Sequence, residues 1–150
     1  MTKHIKHPPT IWALIGLLIV LGVGGIYGGI SFIIDPTGGA IQIPQSYLQG
    51  LPISDYLLPG IFLLTVFGFF PLFLAYGLWK KPIWLSFFAR DYMAWIATVM
   101  LSIGLMAWML IQAGIIGIQY PIQIIIIVIA VAIFILALLP QTRDFYGNRV

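Results

Sequence analysis

The chain has 150 residues, of which 61% are hydrophobic and only 7% charged. Ordinary soluble domains carry roughly 25% charged residues, so a chain this apolar cannot cover itself with polar surface and belongs to the membrane class. The absence of cysteine excludes disulfides, thiolate metal sites and thiol redox chemistry. The net charge of +3 flanks apolar runs instead of forming one basic patch, so membrane lipid, and not nucleic acid, is the expected partner.

Residues 11–34 form the first uncharged apolar run, preceded by Lys3 and Lys6. A hydrocarbon core of about 30 Å needs about 20 helical residues. A cleavable signal has an apolar region of only about 7–15 residues, so this run is read as a retained span. It carries two overlapping small-residue pairs, Gly24 with Gly28 and Gly25 with Gly29. Such pairs let helix backbones approach closely where lipid removes the hydrophobic drive. They suit packing inside the bundle, self-association, or a ligand path.

Residues 35–58 make the only long connection, too long for a structureless loop and too apolar for disorder, with Ile41, Ile43, Tyr47, Leu48, Leu51, Ile53 and Tyr56. It is expected to fold back as a structured cap on the outer end of the bundle. Asp35-Pro36 with Gly38-Gly39 marks a sharp turn, and Ser54 or Asp55 can cap the next helix. Asp35 and Asp55 are the only acids on this side. They suit turns and caps, with ion or ligand binding as the alternative and catalysis last, because no His, Lys or Arg accompanies them.

The second span covers residues 59–79, where Pro71 predicts a kink. Residues 82–91 are expected to lie along the inner interface, with Asp91 at the start of the third span, residues 92–117. The fourth span covers residues 122–139. Fourteen of its residues are Ile, Val, Leu or Phe, which together favour insertion by about 4–8 kcal/mol.

Every Lys and Arg falls before span one, between spans two and three, or after span four: Lys3, Lys6, Lys80, Lys81, Arg90, Arg143 and Arg149. Only a four-span topology with both termini cytoplasmic keeps all seven inside. Trp12, Trp79, Trp84 and Trp95 then fall at the inner boundary and Tyr47, Tyr56 and Tyr120 at the outer one. Trp108 stands mid-span. The expected fold is an all-α membrane protein, a four-helix transmembrane bundle of one domain in the cell membrane.

The pattern Asp35-Pro36-x-Gly38, then Pro44 and Leu48, then Pro52-x-x-Asp55-Tyr56-x-x-Pro59-Gly60 resembles a group of small, uncharacterised bacterial four-helix membrane proteins. The resemblance covers about residues 20–80 and implies a fold and a location, not an activity.

No Lys, Arg, Asp, Glu or His lies inside the spans, which argues against an ion-coupled transporter with its own buried carboxylate. The polar side chains there are Tyr27, Ser31, Thr65, Tyr76, Thr98, Ser102 and Gln112, with Gln123 at an edge. Thr98, Ser102 and Gln112 suit hydrogen bonds between helices. His4 and His7 are too few for a zinc site, and neither metal nor cofactor is expected. The leading expectation is a non-enzymatic accessory subunit or homo-oligomer that contacts another membrane protein or its own copy. The alternative is binding or permeation of a neutral amphipathic molecule such as a lipid, quinone or sterol-like compound, with Tyr27, Tyr76 and Gln112 as polar handles.

Overall fold

Proline opens three of the five helices in the computed structural model, which describes residues 7–80 and 91–147. Pro9, Pro121 and Pro140 each stand in the first turn, where the missing N–H loses no helical bond. The helices are α1 (Pro9–Ile34), α2 (Leu57–Lys80), α3 (Asp91–Ile116), α4 (Pro121–Leu138) and α5 (Pro140–Gly147). Four of them, α3 from Met93 onward, are long and apolar enough to cross a membrane. The molecule is an all-α four-helix membrane bundle. The interfacial segment expected at 82–91 lies outside the described residues, apart from the backbone of Asp91, which begins α3.

α1 is the central helix and packs along α2 on one side and against α4 on another; α3 packs on α4 and on the Phe70–Lys80 part of α2. Fully buried Ile11, Leu14, Leu18, Leu78, Leu105 and Ile133 fill the middle. The α1–α2 seam is made by glycine from both helices. A Cβ at Gly25 would run into the Phe67 carbonyl, and one at Gly29 would stand 2.7 Å from the Leu64 backbone N. On α2, Gly60 and Gly68 receive Phe32 and Ile26 in return. Gly28 sits at the seam's edge, where its Cβ would meet the Leu63 side chain at 2.8 Å, and Gly24 faces open space.

α2 changes pitch. Between Leu57–Phe62 and Phe70–Lys80 it widens into a π-helical stretch, Leu63–Phe69, with Phe70 N–H bonding to Thr65 O. An α-helical turn would drive the Pro71 ring into the carbonyl four residues back, that of Phe67. The wider turn relieves that clash. The Thr65 hydroxyl also bonds to the carbonyls of Ile61 (2.8 Å) and Phe62 (3.2 Å).

Thr98 and Ser102 are fully buried, yet their hydroxyls donate to their own helix, to Ala94 O (2.8 Å) and Val99 O (2.7 Å). The interhelical bonds expected of them are made instead by Trp95 Nε1 to Ala137 O (2.7 Å) and Tyr146 hydroxyl to Leu78 O (3.1 Å). Tyr146 belongs to α5, a short helix beyond the four spans expected from the sequence. α5 closes the end of the bundle at which α1 begins and α4 ends, burying Thr142 and Tyr146 and bringing the Phe145 ring to 5.3 Å from His7.

Candidate functional site

At the opposite end, residues 35–56 fold into a cap that is held by short-range polar bonds. The Asp35 carboxylate accepts from Thr37 N (3.1 Å), Thr37 Oγ1 (2.6 Å) and Ala40 N (2.9 Å), closing the turn after α1. The Thr37 hydroxyl, helped by these backbone N–H groups, holds the carboxyl below its ordinary pKa despite an opposing desolvation effect. Gly38 takes a left-handed φ of 84° against Tyr56. Two 3₁₀ turns follow, Gly39–Ile41 and Gln45–Leu48. Asp55 accepts from Leu57 N (3.0 Å) at the first residue of α2.

Tyr56 is the anchor of the cap. It is 7% exposed, its ring stacks on Phe32 at 4.9 Å, and its hydroxyl donates to Pro44 O (2.8 Å). Burial, with the neighbouring Tyr120 and Tyr47, raises its pKa above the ordinary phenol value. Two further bonds tie the cap to the α3–α4 turn: Tyr47 hydroxyl to Gln119 Oε1 (3.0 Å) and Tyr120 hydroxyl to Gln42 O (3.3 Å). That turn is itself fixed by buried Gln123, which accepts from Gln119 N and Tyr120 N and donates to Gly117 O, all at 3.0 Å.

Under the cap the backbones of α2 and α3 part, and the wedge between them is a cavity of about 490 Å³. Its roof is Ile43, Tyr47, Leu48, Leu51, Ile53 and Tyr56 from the cap. Leu58, Pro59, Phe62 and Leu63 of α2 form one wall, with Phe32 of α1 behind. The facing wall is a single stripe of α3: Trp108, Ile111, Gln112, Ile115 and Ile116, at the i, i+3, i+4, i+7, i+8 spacing of one helical face. Phe62 and Trp108 cross the wedge with ring centroids 4.9 Å apart and close its floor.

Among the described residues no charged side chain lines this space. The hydroxyls of Tyr47 and Tyr56 are already bonded within the protein. The Gln112 amide and the Trp108 indole N–H are the exceptions, both half-buried in the lining and without a hydrogen-bond partner among the described residues. A primary amide both donates and accepts, whereas an indole N–H only donates, so the cavity pairs an apolar lining with two unspent neutral polar groups, of which only Gln112 can also accept. That arrangement can hold an uncharged molecule and orient it. Among the described residues no three His, Cys, Asp or Glu side chains gather as a metal site.

Of the handles expected from sequence, the structure brings only Gln112 into the cavity. Tyr27 is 69% exposed and Tyr76 40%, and neither lines it. Asp35 and Asp55 lie in the cap's turns with backbone N–H partners. Sequence reading missed Phe32, Phe62 and Trp108 as lining residues and took Tyr47 and Tyr56 as interface anchors. The unusual mid-span position of Trp108 was the one available signal. Comparison with known proteins finds no family model, curated protein or solved structure that matches this chain.

Proposed function

We propose that this is a non-enzymatic binding protein of the cell membrane that holds a neutral amphipathic molecule in the cavity beneath its cap. The observation that carries the reading is the unpartnered Gln112 amide in the wall of an otherwise apolar cavity of about 490 Å³. Small-molecule sites occupy roughly 300–1,000 Å³, mostly apolar with a few polar groups that fix orientation. An amide facing hydrocarbon is unfavourable unless something bonds to it. Both termini lie in the cytoplasm on this reading, supported by the placement of all seven Lys and Arg residues. The cap then faces outward and the cavity lies level with the outer leaflet.

An accessory or self-associating subunit draws less support. Gly25, Gly28 and Gly29 face α2 of the same chain, which leaves Gly24 as the open member of the two pairs.

Native mass spectrometry of the protein released from its own membranes tests the proposal. The expected result is a monomer carrying a reproducible added mass that disappears in Ile115→Trp, which fills the cavity from α3. A monomer without added mass, or a mass retained unchanged by that variant, refutes cavity binding. A defined oligomer or a second polypeptide with an empty cavity would instead favour the subunit reading.

A further inference from the structure

Five of the sixteen lining residues are aromatic, about twice the 15% aromatic share of the whole chain. Their placement is as informative as their number. Phe32 and Tyr56 lie nearly parallel, 21° apart, at the cap side. Phe62 and Trp108 make a second pair on the opposite side, tilted by 34°. Gln112 follows Trp108 by about one turn on the same face of α3, about 6 Å nearer the cap.

We infer that the ligand is a flat ring bearing an uncharged oxygen, a quinone or phenol head, whose hydrocarbon tail leaves between α2 and α3. This rests on the cavity-binding reading above. A ring set against Trp108 gains offset or edge contacts from the surrounding aromatics and brings a ring oxygen level with Gln112. A straight-chain alcohol could bond to the amide but would leave the ring faces unused. A carboxylate or ammonium head would stand unpaired, because no charged side chain among the described residues lines the space. The tail's exit follows from exposure: Leu58 (63%), Ile111 (57%) and Ile115 (41%) line the cavity and also face outward.

The test uses the full chain in phosphatidylcholine nanodiscs with a decyl-substituted para-benzoquinone as probe, read by quenching of tryptophan emission. The quinone is expected to quench saturably, and the saturable part is expected to vanish in Trp108→Phe. Gln112→Leu is expected to weaken the probe about tenfold, the worth of one hydrogen bond in a membrane interior. Para-decylphenol is expected to displace the probe at about tenfold lower concentration than decanol, the margin that ring contacts supply. Equal displacement by decanol overturns the ring inference and leaves the binding proposal standing. Absence of saturable quenching by the quinone also overturns it. If brominated decanol then fails to quench Trp108 saturably as well, the binding proposal beneath it falls too.

Discussion

Replacing Gly25 by alanine tests the seam on which the cavity wall stands. The added methyl would meet the Phe67 carbonyl, a backbone group that no rotamer change can move. α1 and α2 must therefore separate, and overpacking of this kind destabilises by about 1–3 kcal/mol. Alanine also favours the helix over glycine by up to about 1 kcal/mol, which masks part of the effect. Gly24→Ala removes that ambiguity, because a Cβ there meets nothing within 4 Å. Both variants make the same residue change one position apart in the same helix, so their difference isolates the steric part. Equilibrium unfolding in mixed micelles, followed by tryptophan emission, is expected to place Gly25→Ala about 1–3 kcal/mol below Gly24→Ala. Equal stabilities would show that the helices do not touch at Gly25 and would remove the basis for placing Phe62 and Leu63 in the cavity wall.

Tyr47→Phe and Gln119→Leu each remove one of the two bonds that tie the cap to the α3–α4 turn. A double-mutant cycle is expected to give a coupling of about 0.5–1.5 kcal/mol, with faster amide exchange in the cap of each single variant; strictly additive losses would refute the tie. Gly38→Ala forces a side chain into a left-handed backbone and towards Tyr56, 2.9 Å away. Thermal unfolding is expected to show a loss of about 1–3 kcal/mol, and an unchanged midpoint would refute the turn geometry. The Asp35 pKa is lowered from 3.8 in the fold, so its ionised form stabilises the cap above that value and the contribution is lost as pH falls through the folded pKa. Between about pH 5 and pH 2 the wild-type midpoint is expected to fall more steeply than that of Asp35→Asn; parallel curves would refute this role.

The spans were legible because length and apolarity suffice to define them, and in α2 the continuous run mattered more than its proline. Pro71 announced a disturbed backbone but not its form, since whether a helix kinks or widens depends on what packs beside the freed carbonyl. Here that neighbour is Gly25. The cavity was illegible for a different reason. In a soluble protein the stripe Trp108, Ile111, Gln112, Ile115, Ile116 would have declared its face by polarity on the opposite side. In α3 the other side is apolar too, with Met100, Ile103 and Leu110 exposed, so periodicity cannot separate a face towards lipid from one towards a cavity. Tyr27 and Tyr76 looked equivalent to Gln112 on that ground. α5 did carry a signal, Pro140 followed by Thr142 and Tyr146 one turn apart on one face, but it is too short to register as a span.

A ligand that arrives from the bilayer brings a consequence for affinity. Its tail is already in hydrocarbon, so burying it against Ile111 or Leu58 gains almost nothing over lipid. Preference for the cavity must come from the groups that lipid lacks. One hydrogen bond to Gln112 supplies about 0.6–2 kcal/mol in a membrane interior, and aromatic contact adds about 0.5–1.5 kcal/mol. Together they favour the site over free lipid by about 1–3.5 kcal/mol, roughly one to two and a half powers of ten. That margin suits a ligand which exchanges with the membrane, and it falls well short of a permanently held group. It also ranks the residues: trimming the apolar wall changes shape, whereas removing the amide removes about half of what distinguishes this cavity from the bilayer around it.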